Sequence, residues 1–283
     1  MPPGIYRLGG QVKRALTQRM TADVRAVLAP NANLRDRHAG ERGFLLGCGP
    51  SINHHDLKLL KDEVCISVSN FFVHKDFQPI SPQYHCVSGH HRPIREETYL
   101  DWLGDLQALS DDVMLVSPVA DRALIHRRPI FAENRLCYAY PGATATDLKR
   151  GGIDFCKRIR QHETVGVLAL QLALYLGLKD IYLLGFDFDY AQHMGESRHF
   201  YEEHEHRFVR EGYDEWFIPN FAFHCESWLK LWGEFELMKD VAARQGSTIY
   251  NATRGGLLDV FPRVEYESLF SSQSVDQSDR LSS

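Results

Sequence analysis

Three short segments, each at the end of an apolar run, carry the residues with chemistry to offer. The first is Gly47-Cys48-Gly49-Pro50-Ser51. Glycine lets a backbone approach a ligand closely, and backbone N–H groups at a following turn can hold a phosphate. The segment is not the dinucleotide fingerprint, because the third glycine is missing at its spacing, and it lacks the Gly-Lys-Ser/Thr of a Walker A loop. A plain strand-to-helix turn and a phosphate cradle both fit it. The second segment is Ser69-Asn70-Phe71-Phe72. The Asn70 amide can donate to and accept from a ribose, a base edge or a sugar hydroxyl, though asparagine is also a common turn former. The third is Gly185-Phe186-Asp187-Phe188-Asp189-Tyr190. On extended backbone, Asp187 and Asp189 point the same way and suit a divalent cation beneath a nucleotide diphosphate. Asp187 alone orienting a ribose, or one capping and one solvated carboxylate, are the alternatives.

Residues 189–223 read as an insertion that closes over such a site. They hold His193, His199, His204 and His206 among Glu196, Glu202, Glu203, Glu205 and Glu211, with Phe200, Tyr201, Phe208, Tyr213 and Trp216. Aromatic rings stack on sugar faces, and His and Glu bond hydroxyls. A metal site built from these His and Glu, or a solvent-exposed, partly helical insertion that merely closes over the pocket, are the other readings.

The elements that must position these segments alternate between strand and helix. Strands are expected at 43–47, 64–69, 83–88, 113–117, 135–140, 180–185 and 247–250, and helices at 55–61, 95–109, 163–178 and 225–245. The helix over 163–178 is apolar nearly all round, so it belongs against a sheet. Apolar strands alternating with helices give an α/β fold. We expect a single Rossmann-like domain over 43–270, with a mainly parallel sheet, helices on both faces and a lid-like insertion at 189–223. In that architecture the active site lies at the carboxyl edge of the sheet. The polar tail 271–283 is expected to be disordered.

These motifs, in this order, resemble the bacterial sialyltransferases of glycosyltransferase family 42. They equally resemble the broader motility-accessory-factor and 6-hydroxymethylpterin pyrophosphokinase-like group. The resemblance rests on Gly-x-Gly-Pro-Ser-Ile at 47–52, Ser-Asn-Phe-Phe at 69–72, the block from Glu163 through Phe188, and Tyr-Asn-Ala-Thr-Arg-Gly-Gly at 250–256. It implies one nucleotide-binding domain with a lid, and a CMP-activated nine-carbon acid sugar as donor. It implies that Gly47, Gly49, Pro50 and Ser51 lie along the phosphate, and that Asn70, Thr164 and Asn251 touch the nucleotide or donor. Gly185 and Asp187 would hold the ribose and cytosine end. It further implies His224 as general base, just before the long penultimate helix, and Tyr190, Tyr201 or Tyr213 as supports for the departing phosphate. An imidazole suits the base's task because its ordinary pKa lies near neutrality. The sequence departs from the family at Cys48, where an asparagine is usual, at Asp189, where a tyrosine is expected, and at Val165. The family works without metal, so no cofactor is expected. Mg²⁺, held by Asp187 and Asp189, enters only with the alternative activity, transfer of diphosphate from ATP to a pterin-like alcohol.

Charge narrows the partners. The net charge of −5 over 283 residues excludes a nucleic-acid binder that works by bulk basicity. A hydrophobic fraction of 44% beside 24% charged residues is that of a folded globule. Residues 1–42 hold eight basic and three acidic residues, a net of +5, which leaves −10 for the rest. Ile5, Leu8, Val12, Leu16 and Met20 fall on one helical face of this arm. A basic amphipathic arm, with a polar linker at 30–40, fits peripheral contact with an anionic membrane as well as packing on the domain or a partner. The expected setting is the cytoplasm, at the inner face of a membrane, with a nucleotide-sugar donor and a glycan or lipid-linked acceptor. Six cysteines without a regular spacing read as reduced thiols. Oligomeric state has no signature in the sequence.

Overall fold

The computed structural model describes residues 20–193, 198–202 and 221–271. One sheet organises them. Its strands are β1 (Arg42–Leu46), β2 (Val64–Val68), β3 (Tyr84–Cys86), β4 (Met114–Pro118), β5 (Leu136–Ala143), β6 (Arg158–Arg160), β7 (Asp180–Leu184) and β8 (Thr248–Asn251). They lie in the order β6-β5-β4-β3-β2-β1-β7-β8. Every pairing is parallel, from Phe44 opposite Cys65 to Tyr182 opposite Tyr250. The continuous apolar strands β1 and β2 are buried on both faces, as a parallel sheet requires.

The longer helices are α1 (Ala22–Leu28), α2 (Glu96–Leu109), α3 (Ala145–Gly151), α4 (Val165–Tyr175) and α5 (Phe221–Gln245). On one face, α4 lies against β1, β2 and β3, and α5 packs beside it against β8. Residues 166–175 of α4 are all buried, which is why its sequence is apolar all round. The opposite face is covered by α2 and the segment ending at Tyr266 and Phe270. The α/β reading is therefore correct. The one strand without a sequence signature, β6, is three residues long and is clamped by a buried polar group. Gln171 of α4 accepts from the Arg160 amide at 2.8 Å and donates to the Arg160 carbonyl at 3.2 Å.

Several boundaries are corrected. The helix expected at 55–61 is a single 3₁₀ turn, Leu57–Leu60, capped by the Asp56 side chain, which accepts from Lys58 N–H, and a second 3₁₀ turn, Pro50–His54, precedes it. Helix α5 spans Phe221–Gln245, so His224 sits within the helix rather than before it. Residues 30–40 are not a free linker. Asn31 is buried, and its amide donates to the carbonyls of Tyr138 and Phe155. The Asp36 and His38 amides donate to the carbonyls of Tyr175 and Leu176 at the end of α4. The apolar helical face expected at 5–20 lies outside the described residues apart from Met20, and the tail from residue 272 lies outside them too. No helix among the described residues is long and apolar enough to cross a membrane.

Helix α5 is tied to the loop before α4 by one carboxylate. Glu234, 8% exposed, accepts from the Glu163 amide at 2.9 Å. Burial pushes its pKa up to about 7, aided by the Glu163 carboxylate and opposed by the amide and by Arg160. The folded chain then keeps this proton where the unfolded chain, with an ordinary carboxyl near 4.5, has released it. Stability attributable to Glu234 is full below about pH 4.5 and falls as pH rises toward about 7. Glu234→Gln keeps an oxygen for the Glu163 amide but has no proton to lose. Melting temperatures measured across that window should therefore decline less in the variant than in the wild type.

Candidate functional site

Strands β1 and β7 are neighbours, yet the chain runs from β1 toward β2 on one side and returns to β7 on the other. The crevice beyond their carboxyl ends is the switch point at which open α/β sheets bind ligands. A cavity of about 190 Å³ opens there, lined by residues 47–49, 68–69, 164–166, 185–190, Arg198 and His199. Segments from four distant parts of the sequence converge on it.

Its floor is two loops pressed together. The Gly47 amide donates to the Leu184 carbonyl at 2.8 Å and the Gly49 amide to the Gly185 carbonyl at 2.9 Å, so the β1–β7 ladder continues past both strands. A Cβ on Gly49 would lie 1.8 Å from Asp187 Oδ2 and 2.7 Å from the Gly185 carbonyl oxygen. Gly49 has a φ of −66°, which any residue can adopt. It is glycine for want of space. Gly185, at φ +70°, is glycine for its backbone conformation.

Asp187 joins these loops. Its carboxylate accepts from the Ser51 amide at 3.3 Å and the Ser51 hydroxyl at 2.8 Å. Both residues are buried. Burial raises the pKa of Asp187 above the usual carboxylate range, opposed by the two Ser51 donors. Asp189 is also buried, but it faces Arg198, whose Nη2 donates to Oδ2 at 2.6 Å. The expectation that the two carboxylates point together is thus corrected. Phe188 between them has a φ of +45°, so the backbone is not extended there and the alternation of an extended strand is lost. Among the described residues, no three His, Cys, Asp or Glu side chains group as metal ligands.

Asn70 is placed by a donor that cannot accept. Trp102 Nε1 donates to Asn70 Oδ1 at 2.7 Å, which leaves the amide nitrogen to donate to Tyr201 Oη at 2.9 Å. Tyr201 in turn stacks on His199, with ring centroids 5.0 Å apart. The neighbouring Phe200 amide donates to the Cys48 carbonyl at 3.0 Å. Residues 198–202 of the insertion therefore lie over the ends of β1 and β2. Beneath it, Ser69 has a left-handed φ of +50°. Its carbonyl accepts from His85 Nε2 at 2.8 Å. Nδ1 must then accept from Ser67 Oγ, also at 2.8 Å. Burial holds this histidine neutral by lowering its pKa to about 3. Burial likewise pushes the Cys48 thiol up to about 12, so it is no nucleophile at neutral pH.

Of the residues singled out in the sequence, Gly47, Gly49, Thr164, Gly185, Asp187 and Tyr190 line the cavity, with Asn70 and Tyr201 beside it. Pro50 begins the 3₁₀ turn, and the donors of Ser51 go to Asp187 rather than into the cavity. Asn251 is wholly buried and does not line it. Its amide donates to the Leu258 carbonyl, and its oxygen accepts from the Thr253 amide. Thr253 then receives the Phe186 amide at 3.0 Å, so Asn251 shapes the 185–187 loop from behind. His224 is also not among the lining residues; its ring lies against Trp228, 5.7 Å between centroids. The cavity's own histidine, among the described residues, is His199. Tyr213, His204 and His206 lie outside the described residues. Trp102 and Arg198 have no signature in the sequence: one sits in an ordinary amphipathic helix, the other in a polar segment.

No protein-family model matches the sequence, and no curated protein does. Solved structures do. The sialyltransferase CstII from Campylobacter jejuni, in complex with the substrate analogue CMP-3FNeuAc, covers 79% of this chain and 86% of its own at 15% identity and a TM-score of 0.51. A point variant of the sialyltransferase CST-II in complex with CMP gives the same coverage and identity at a TM-score of 0.50. The MAf glycosyltransferase from Magnetospirillum magneticum AMB-1 is 14% identical at a TM-score of 0.47, and the match spans 40% of its length. At such identities the likeness is one of fold. The chain has the α/β fold of these sialyltransferases.

The loop contact predicts opposite outcomes at two glycines. Gly49→Ala forces the 47–51 and 185–187 loops apart and should destabilise the fold by about 1–3 kcal/mol. Gly104→Ala, in α2 with nothing within 4 Å of the new Cβ, should stabilise it by about 0.5–1 kcal/mol. Urea midpoints of the two variants check both signs.

Proposed function

We propose that this chain is a glycosyltransferase that moves a sugar from a nucleotide-activated donor to a glycan acceptor. The donor class we propose is a CMP-linked nonulosonate, a nine-carbon acid sugar. The observation that carries this reading is the cavity at the β1–β7 switch point, floored by glycine loops and overlain by residues 198–202. Sharing its fold with sialyltransferases whose complexes hold CMP or a CMP-sugar analogue supports it. So does the placement of Thr164, Val165 and Gly166, the start of the eleven-residue helix α4, in the cavity wall. A helix N-terminus offers unpaired N–H groups and partial positive charge to a phosphate.

In this reading an imidazole takes the proton of the acceptor hydroxyl as its oxygen attacks the anomeric carbon. The bond from that carbon to the phosphate oxygen breaks through an oxocarbenium-like transition state, and the phosphate departs with the bonding electrons. Donors fixed in advance around that oxygen stabilise the charge as it develops. Tyr190 and Tyr201 are the proposed hydroxyl donors. His224 is the proposed base, with His199 its competitor. Diphosphate transfer from ATP draws no support, because its Mg²⁺ would need Asp187 and Asp189 together, and these are bonded to Ser51 and Arg198.

Thermal shifts with CMP, UDP, GDP and ATP, each with and without Mg²⁺, test the nucleotide. CMP should stabilise the protein without metal; stabilisation by ATP with Mg²⁺ alone, or by none of the four, contradicts the proposal. His224→Ala should lower transfer from a CMP-activated donor by about 10²–10⁴-fold while CMP binding persists. Unchanged turnover, with that loss appearing instead in His199→Ala, transfers the role to His199.

A further inference from the structure

The cavity needs positive charge if it is to hold a phosphate, and its described walls contain little. Among the described residues, Asp187, Asp189, Arg198 and His199 are the charged or titratable side chains that line it, apart from Cys48 and Tyr190. Both carboxylates would repel a phosphate, but Asp187 is turned to Ser51. That leaves the Arg198–Asp189 pair to set the charge of the wall. The two partners are not equally placed. The Asp189 side chain is 9% exposed and that of Arg198 26%, so the carboxylate is the more deeply buried of the two. His193 Nε2 lies 3.7 Å from the same Oδ2, a second basic group over that carboxylate.

We infer that Arg198 binds the phosphate of the donor, and that Asp189 is the counter-ion that positions Arg198 rather than a metal ligand. The inference rests on the nucleotide-donor reading above and adds the group that meets the donor's charge. A guanidinium is permanently charged, planar and has five N–H donors, so it can bond a carboxylate and a phosphate at once. The backbone that follows it is held against the loops after β1 and β2. The Phe200 amide bonds the Cys48 carbonyl at 3.0 Å, the Asn53 amide reaches the Phe200 carbonyl at 3.3 Å, and Tyr201 is held by Asn70. Arg198 is thus carried on the segment bonded to the 47–49 turn, and it lines the same cavity as that turn. When the bond from anomeric carbon to phosphate oxygen breaks, the electron pair stays on that oxygen. Arg198 then faces the added charge, the task a divalent cation performs in metal-dependent transferases.

Calorimetry of the full chain with CMP and with cytidine, which lacks the phosphate, isolates this contact. The wild type should prefer CMP. Arg198→Ala should weaken CMP binding by about 10–100-fold and leave cytidine binding unchanged. Arg198→Lys, which keeps the charge without the fork, should recover only part of the preference. The double variant Arg198→Ala/Asp189→Asn separates loss of the cation from exposure of the anion: it should remain unable to prefer CMP. An intact preference in Arg198→Ala, or a preference restored in the double variant, overturns the assignment while leaving the nucleotide reading standing. A wild type that binds neither ligand overturns both.

Discussion

The carboxylate of Asp187 receives the amide and the hydroxyl protons of Ser51, and this one contact joins the loop after β1 to the loop after β7. Much of the cavity depends on it. The loops must touch for the ladder to run on through Gly47 and Gly49, and they can touch only because neither glycine carries a Cβ. The same closeness leaves Asp187 buried, so its bonds to Ser51 are made where an unpaired partner would be costly. Behind it, Asn251 and Thr253 fix the Phe186 amide. Gly256 also lies against the Asp187 backbone, where a Cβ would come within 2.4 Å of its carbonyl oxygen. The last motif of the chain thus acts on the site through the loop it supports.

A second consequence concerns charge. An acidic pair on one loop reads as a metal site, but the left-handed Phe188 turns the two carboxylates to different partners. One closes the floor of the cavity and the other holds an arginine over its mouth. In the proposed reaction the leaving group is then met by a fixed cation, amide donors and phenols, all supplied by the chain itself. Trp102 extends this order outward, since a donor-only indole sets which way the Asn70 amide faces and so which atom meets Tyr201.

What was legible in the sequence follows from the range of the interactions involved. Apolar runs of five residues alternating with helical periodicity announce a parallel sheet, and the order of the glycine, asparagine and aspartate motifs places them at its carboxyl edge. Strand β6, three residues with an arginine at each end, carries no such pattern; it pairs with β5 and is clamped by Gln171. Residues 30–40 are polar and proline-flanked, which reads as a linker, yet Asn31 reaches carbonyls more than a hundred positions away. Asp187 with Ser51, Trp102 with Asn70 and Arg198 with Asp189 are likewise side-chain pairings. Residue type alone specifies none of them. Asn251 was legible as an important position, but its work is to shape a loop.

The central claim is that the cavity between the ends of β1 and β7 is the nucleotide site. Backbone hydrogen exchange, measured on the full chain with and without saturating CMP, tests it most directly. The account predicts slower exchange at residues 47–51, 164–168 and 185–190, with little change at the far strands β5 and β6. Exchange unaltered in those three segments, or protection confined to another part of the molecule, would contradict it.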